Sequence, residues 1–306
     1  MWIPHKLLSP LKAESPRETI QASEAATDDR TFVVGFLLGN AVTKVWETDL
    51  LVAPTDARRE IRLDGKSCVI DASANISGKL HEIIYTIPST GAVAALSTTF
   101  QHVAGELDRM ALQYGRSVEI AGWRIADVEH GARWRCVPFR PSALLAEQDP
   151  GTLPPAYAEV LRLYREARNA TSAAWRLISA GAILDAAVSR RQPFVSKELD
   201  LANFTITTDM LVRSGTLATH PELKGATARV LRDLVETPRQ ALLSELTALT
   251  GNTNAPVSSN YRDAAAFAAL ANLVDLVARD IVLTSLRASG CFQIPEPVEN
   301  AEPVSA

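Results

Sequence analysis

The hydrophobic pattern divides the chain into a strand-rich first half and a helical second half. Short runs of β-branched and aromatic residues recur between residues 30 and 140, separated by glycine, aspartate and other turn-forming residues. After residue 155 the apolar positions recur at intervals of three and four, the period of an amphipathic helix. The sequence therefore predicts an α+β fold, in which a small N-terminal mixed β/α domain is followed by an all-α helical bundle domain.

In the first half, Asp64 and Gly65 give the strongest local signal. They separate two β-prone runs and predict a type I′ hairpin, because both central positions of that turn need a positive φ. A helix follows and is expected to end at Gly115. Predicted strands cover residues 32–38, 45–53, 59–63, 67–72 and 80–87; the helix covers 92–114; a second hairpin covers 118–128 and 133–139.

In the second half, Pro238 is expected to separate two helices, because proline lacks the N–H group that a helix interior needs. Residues 196–213 are ambiguous, since the β-branched stretch at 204–208 could be extended. Helices are predicted at 155–169, 172–191, 222–236, 239–249 and 260–286, with a polar loop at 251–259.

Composition shifts predict the domain boundaries. A flexible N-terminal arm is expected at 1–29 and a Pro- and Gly-rich linker at 141–155. The β-rich domain then covers 30–140 and the helical domain 156–290. A Pro-rich acidic tail at 291–306 is predicted to be disordered.

Charge and cysteine content narrow the function classes. The net charge of -4 gives no electrostatic case for nucleic acid as the main partner. Cys68, Cys136 and Cys291 are widely spaced and odd in number, which argues against a disulfide framework and favours a reducing compartment. Neither a signal peptide nor a membrane span is recognisable, so we predict a cytoplasmic protein with no membrane partner.

Motifs of nucleotide binding and nucleophilic catalysis are missing from the sequence. The Gly-Lys-Ser segment at 65–67 resembles the end of a phosphate-binding loop, but Glu60 stands where that loop needs its first glycine. His81 and Glu82 are neighbours on a predicted strand and are interpreted as an exposed surface pair. We therefore predict no catalytic residue and no cofactor, and the sequence favours a protein that is not an enzyme.

Asp127, Glu129 and His130 form the short segment richest in metal-ligating residue types, and Cys136 or His102 could lie near it in the fold. No recurring ligand spacing supports a metal site, and the segment falls in a predicted hairpin turn, where polar residues are ordinary. We interpret it as a solvated loop and predict no metal site. A small-molecule enzyme that uses this segment is the third functional alternative.

Arginines alternate with tryptophan on the predicted second hairpin. Arg124, Arg133 and Arg135 lie close to Trp123 and Trp134 in the sequence. Aromatic and basic side chains on one sheet face can bind single-stranded RNA. Strand alternation, however, predicts that Trp134 faces inward and the arginines outward. RNA binding is therefore an alternative that the sequence allows but does not favour.

The segment 161–187, LRLYREARNATSAAWRLISAGAILDAA, contains a recognisable helical pattern. It resembles the MauJ proteins of methylamine-utilisation clusters and the helical domains of the HEPN type. Asp185 stands where that pattern more often has glutamate. The matching residues are Tyr164, Arg165, Glu166 and Ala167, then Trp175, Arg176, Leu177 and Ser179, then Ile183, Leu184 and Asp185.

The resemblance implies a helical bundle, but not its ribonuclease chemistry. HEPN ribonucleases use an arginine and a nearby histidine at the last long helix for acid–base cleavage of RNA. Arg239 lies near the corresponding place, and the last histidine of the chain is His220. Large apolar residues, Trp175 among them, are expected in the core, and Arg165, Glu166 and Asp185 are expected to form interhelical ion pairs.

These observations lead to one functional hypothesis with alternatives. We expect a non-catalytic accessory protein of the MauJ-like type, whose helical domain serves self-association as a homodimer or binds a protein partner. A HEPN-type RNA-interacting defence or stress protein without ribonuclease activity is the alternative. The residues predicted to bind are Arg239, Arg165, Asp185, Arg133 and Arg135.

Overall fold

The computed structural model describes residues 12–41, 47–53, 57–116, 118–136, 154–195, 200–248 and 261–290. The chain forms two compact units. Described residues up to 136, together with 261–269, make up a sheet unit, and the remaining described residues make up a helical unit. Strands in the first part and helices in the second confirm the α+β class.

The sheet unit contains a seven-stranded antiparallel sheet in the order β1-β7-β6-β2-β5-β4-β3. Asp64 and Gly65 have φ of 49° and 78°, which confirms the positive-φ hairpin between β3 and β4. The strands are β1 (Lys12–Ala13), β2 (Arg30–Gly39), β3 (Arg58–Leu63), β4 (Lys66–Ala74), β5 (Leu80–Ser89), β6 (Glu119–Asp127) and β7 (Arg133–Cys136).

Helix α2 (Ala92–Tyr114) covers one face of this sheet and has the predicted bounds. Leu96 and Val103, one and three turns into the helix, are fully buried in the core with Phe32, Phe36 and other alternate residues of the strands. Gly115 ends the helix in the left-handed region at φ 60° and donates its N–H to the carbonyl of Ala111. Glycine is favoured at such a position because it has no Cβ.

The prediction of a loosely held N-terminal arm is wrong for the part that the structure describes. Residues 12–25 contain strand β1, which pairs with β7, and helix α1 (Arg17–Ala25). Ile20 and Ser23 of that helix are buried. The segment is short and largely polar, so its helical period was not visible, and its order comes from tertiary contacts instead.

The predicted strand at 45–53 is also wrong in its described part. Residues 47–53 form one isolated bridge, between Leu51 and Lys79, and no named strand. Leu51 is exposed, so its apolar side chain does not belong to a strand that faces the core.

The helical unit contains α3 (Ala158–Asn169), α4 (Ala173–Val188), α5 (Thr208–Ser214), α6 (Ala228–Ala248) and, from residue 270, α7 (Tyr261–Ala288). Ser172 caps α4 by accepting the N–H of Trp175. Short 3₁₀ turns lie at Pro155–Tyr157, Leu201–Asn203 and Pro221–Leu223. A single bridge between Thr205 and Thr227 shows that the ambiguous segment is extended there.

Pro238 does not separate two helices, so that prediction is wrong. It lies inside α6, which continues through it. Leu231, Val235 and Leu242 are buried at helical spacing on both sides of the proline, and α6 packs against α4. This continuous apolar stripe offsets the backbone hydrogen bond that proline cannot make.

Several predictions fall on residues outside the described ranges. They include most of the linker at 141–155, the whole polar loop at 251–259, Cys291 and the tail at 291–306. Among the helices of the described residues, none is long and apolar enough to cross a membrane.

Candidate functional site

A buried ion pair lies at one end of the sheet unit. Arg30 begins β2 and Asp127 ends β6, and both side chains are fully enclosed. The Arg30 Nε donates to Asp127 Oδ2 over 2.7 Å, and the Ser23 hydroxyl donates to the same oxygen over 2.5 Å. The remaining Arg30 nitrogens donate to carbonyl oxygens of Ser23, Ala26, Asp28 and Thr90. The guanidinium therefore joins α1 and the turn that follows it to the sheet.

His130 completes this cluster from the turn between β6 and β7. Its Nδ1 lies 3.0 Å from Asp127 Oδ2, and the backbone N–H groups of Glu129 and His130 donate to Oδ1. Burial raises the pKa of Asp127, but hydrogen bonds from Ser23, Arg30 and His130 outweigh burial and hold that pKa far below its usual range. An ionised carboxylate only accepts hydrogen bonds, so His130 Nδ1 is the donor in this contact.

The arrangement differs from the metal site that this ligand-rich segment suggested. No group of three metal-ligating side chains forms within the part of the chain that the structure describes. His102 contacts another residue instead: its Nδ1 lies 2.9 Å from the Tyr85 hydroxyl. The segment also is not simply a solvated loop, because Asp127 is buried.

A second cluster fixes α2 on the sheet. Glu106 on α2 accepts from Arg59 on β3 over 2.6 Å and from Arg109 on its own helix. His102, one turn before Glu106, contacts Tyr85 on β5. Burial lowers the pKa of His102 and raises the pKa of Tyr85, so the imidazole is neutral and the phenol protonated at neutral pH.

The predicted basic surface forms only in part. Arg124 and Arg135 are directly opposite on β6 and β7, and both are exposed, as is Arg133. Trp123 and Trp134 are buried on the other face, which confirms the predicted alternation. Arginine and tryptophan therefore do not share a face on which bases could stack.

Acidic residues already hold two of these arginines. Arg124 donates to both carboxylate oxygens of Glu82, over 2.7 and 2.6 Å, and Arg135 lies 3.6 Å from Glu14. The interpretation of Glu82 as an exposed residue is wrong, because it is 4% exposed. Gly35 makes this pair fit: a Cβ there would lie 2.1 Å from Glu82 Oε1. A glycine inside a strand pattern was the sequence signal for this close approach.

In the helical unit, one carboxylate binds two arginines from different helices. Asp275 on α7 is fully buried, and its Oδ2 lies 2.6 Å from Arg168 Nη1 and 3.2 Å from Arg176 Nη1. Arg176 on α4 is also buried, and its Nη2 donates to the carbonyls of Arg168 and Ala170. The cluster therefore connects α3, α4 and α7.

Burial dominates the electrostatics of this cluster. Burial lowers the pKa of Arg176, while Asp275 opposes that effect. Burial also raises the pKa of Tyr164, and the nearby Asp275 charge adds to that effect. Asp280, further along α7, has its pKa raised by burial although Arg279 lies 3.0 Å away. Sequence reasoning assigned no role to Arg168 or Asp275; the available signal was a carboxylate within a strongly apolar helix.

The residues predicted to bind in the helical half have ion-pair partners outside this cluster. Asp185 on α4 bridges to Arg232 on α6 over 4.0 Å, so the expected interhelical pair exists at that position. Arg165 and Glu166 instead pair with each other over 3.6 Å on an exposed surface, so the interhelical expectation is wrong for them. Trp175 is 53% exposed and is not a core residue.

Arg239 packs within the helical unit. It lies inside α6, not at the start of the last long helix, and its Cδ would be 3.2 Å from a Cβ on Gly181 of α4. Its Nη1 donates to Glu236. His220 Nδ1 contacts Glu222. Arg239 and His220, the residues that could form the arginine–histidine pair of a ribonuclease, therefore pair with different residues.

The comparison with known proteins identifies the family. The model of the N-terminal domain of methylamine utilization protein MauJ matches residues 5–136. The chain is 36% identical to methylamine utilization protein MauJ of Methylorubrum extorquens, over 94% of this chain and 96% of that protein. It is 37% identical to methylamine utilization protein MauJ of Paracoccus versutus, over 94% of this chain and 95% of that protein. The chain belongs to the MauJ family. The MauJ protein of Paracoccus denitrificans is 35% identical over 94% of the chain.

The match to the family model includes the buried cluster of the sheet unit. The N-terminal domain model ends at Cys136 and so contains Arg30, Asp127 and His130. The helical unit is covered by the similarity to the full-length MauJ relatives. No solved structure matches this chain significantly.

Proposed function

We propose that this protein is a non-catalytic accessory protein of methylamine utilisation. Similarity to three proteins named for that process, over 94% of the chain, carries the proposal. The ionisable side chains of the two buried clusters support a structural role, because each charge has an opposite charge within hydrogen-bond distance.

Deletion of the gene tests this proposal. The deletion strain should grow slowly, or fail to grow, on methylamine as the sole nitrogen source, and should grow normally on ammonium. Complementation with the wild-type gene should restore growth on methylamine. Normal growth of the deletion strain on methylamine would contradict the proposal.

We further propose that the helical unit is a HEPN-type bundle that binds a protein partner or a second copy, without cleaving RNA. Arg239 supports this view, since it packs over Gly181 and pairs with Glu236 instead of facing a histidine. Purified protein should leave single-stranded RNA intact. Cleavage that is lost in Arg239→Ala would overturn the non-catalytic assignment.

Partner binding is tested by co-purification. The tagged full-length chain, expressed at its native level, should retain one protein in stoichiometric amount from cells grown on methylamine, and Trp175→Ala should reduce that retention. Trp175 is chosen because it is a large aromatic side chain 53% exposed on α4, and exposed tryptophans are frequent anchors of interfaces. Unchanged retention in Trp175→Ala would exclude this surface.

RNA binding through Arg124, Arg133 and Arg135 is the weaker alternative. The three guanidiniums are exposed on neighbouring strands, but Glu82 and Glu14 already pair with two of them. Fluorescence anisotropy with a labelled single-stranded RNA should show no binding at low salt. Binding that weakens steeply with salt, and weakens further in Arg133→Ala, would favour the RNA alternative.

A further inference from the structure

Strand β3 forms one edge of the sheet and has a regular backbone. It pairs with β4 along its whole length, from Arg58 opposite Asp71 to Leu63 opposite Lys66, without a register shift. Leu63 and Lys66 flank a two-residue turn and therefore form a hydrogen-bonded pair. Antiparallel alternation then directs the N–H and C=O groups of Arg58, Glu60 and Arg62 away from β4, towards the free edge, which pairs with no other strand of the described residues.

This edge carries few of the features that prevent pairing with another strand. Natural edges are commonly protected by proline, by bulges or by short length. The β3 sequence, RREIRL, has six residues and contains neither proline nor glycine. Its protection is charge alone, and that charge alternates in sign: Arg58, Glu60 and Arg62 are exposed and share one face of the strand.

We propose that β3 pairs antiparallel with β3 of a second copy of this chain, about a two-fold axis at Ile61. In this register Glu60 lies opposite the partner's Arg62, and Arg62 lies opposite the partner's Glu60. These positions are the ones whose backbone groups face the free edge, so they also exchange the main-chain hydrogen bonds. The two sheets become one continuous sheet.

Charge selects this register over its neighbours. A two-fold axis at Glu60 would place that carboxylate opposite its own copy and Arg58 opposite the partner's Arg62. An axis at Arg59 would bring two Arg59 side chains together. Like charges directly opposite destabilise an antiparallel pair, whereas opposite charges stabilise it. Only the axis at Ile61 places an apolar residue at the centre and an ion pair on each side.

The edge belongs to the sheet unit, and the proposal is independent of a role in methylamine utilisation. It assigns self-association to the sheet unit, so of the two occupants proposed for the helical unit it favours a different protein over a second copy. Growth on methylamine and the mass of the purified protein are separate measurements, so either proposal can fail without the other.

A charge exchange tests the register directly. Sedimentation of the full-length wild-type chain should show a concentration-dependent dimer. Glu60→Arg and Arg62→Glu should each weaken dimerisation at least about tenfold, since each replaces both ion pairs with like-charge contacts. The double variant with both substitutions should restore the dimer, because the two pairs re-form with their signs exchanged.

Two further variants separate loss of pairing from loss of fold. Glu60→Pro removes an N–H that faces the free edge and spares the β3–β4 hydrogen bonds, so the far-ultraviolet circular dichroism should stay unchanged while the dimer is lost. Ile61→Cys is combined with Cys68→Ala, because Cys68 lies directly opposite residue 61 on β4. This variant should form an intermolecular disulfide on oxidation, since the two copies of residue 61 face each other across the axis. Glu60→Cys and the wild type are the controls that should not crosslink.

Three results would overturn the proposal. The first is a wild-type chain that is monomeric up to about 100 µM, which places any affinity outside the range of a specific weak dimer. The second is a dimer that neither single charge reversal weakens. The third is a failure of the double variant to recover the dimer while its circular dichroism matches the wild type.

Discussion

The two units each bury an arginine–aspartate contact, but they enclose the charges differently. In the sheet unit, Arg30 and Asp127 form a pair in which both side chains are fully buried. In the helical unit, Asp275 contacts two arginines, of which Arg176 is buried and Arg168 has a side chain 30% exposed. Each cluster reaches water through one member, His130 (29% exposed) in the first and Arg168 (30% exposed) in the second. In the first cluster the only arginine is fully enclosed, whereas in the second one of the two arginines is partly exposed.

This difference indicates different structural roles. The other donors of Arg30 reach carbonyl oxygens of connecting segments, so the sheet cluster fixes irregular backbone around α1 and the β6–β7 turn. Asp275 contacts side chains from α3 and α4, so the helical cluster fixes how α7 is rotated against those helices. Buried ion pairs contribute little net stability, but removal of one partner costs several kcal/mol.

Asp127→Asn should have the largest effect. It leaves the buried Arg30 guanidinium without a negative charge next to it, and it weakens the oxygen that accepts hydrogen bonds from Ser23 and His130. The free energy of unfolding should therefore fall by about 4 kcal/mol. Guanidinium denaturation followed by the fluorescence of the buried Trp123 and Trp134 measures the change. Ser23→Ala is the control, with an expected loss of about 1 kcal/mol. A loss for Asp127→Asn no greater than that of Ser23→Ala would contradict the view that charge compensation matters here.

Asp275→Asn should have the second largest effect and should lower the free energy of unfolding by about 3 kcal/mol. Arg176 would stay buried without its carboxylate, but Arg168 can turn towards water, which limits the loss. Circular dichroism at 222 nm, as a function of denaturant, follows the helical unit. Arg168→Gln should cost less than Arg176→Gln, because the Arg168 side chain is partly exposed. Equal losses in these two variants would show that exposure does not distinguish the arginines.

Local backbone signals were sufficient to predict much of the fold. The bounds of α2 followed from its apolar period and Gly115, and the β3–β4 hairpin followed from Asp64 and Gly65. The failures share a cause: tertiary contacts override local preference. Pro238 remains helical because buried residues flank it on one stripe, and α1 is ordered through Ile20 and Ser23.

The clusters were harder to predict because their members are distant in sequence. Asp127 was recognised as chemically rich, but its partners Ser23 and Arg30 come from about a hundred residues earlier, with separations of 104 and 97. Arg176 and Asp275 are separated by 99 residues. Periodicity shows which face of an element is apolar, but it does not show which charge on another element will lie opposite.

Acid should reduce the stability that Asp127 provides. Its pKa in the folded protein lies far below the unfolded value of about 3.9, so its contribution is complete above that value and is lost as the pH falls below about 4. The difference in stability between the wild type and Asp127→Asn should therefore become smaller as the pH is lowered from 6 to 3. Denaturation midpoints at unit pH intervals measure the trend. A deficit independent of pH over that range would contradict the lowered pKa.

Asp280→Asn should show a smaller effect of opposite sign and so sharpen the contrast between the units. Burial raises the pKa of Asp280, with Arg279 opposing the effect, so its ionisation disfavours the folded state as the pH rises above the unfolded value. At pH 7 the variant should equal or exceed the wild type by less than about 1 kcal/mol, because the side chain is 25% exposed and partly screened. This advantage should disappear towards pH 4. An Asp280→Asn variant that is less stable at pH 7 and recovers in acid would mean that its contact with Arg279 outweighs burial.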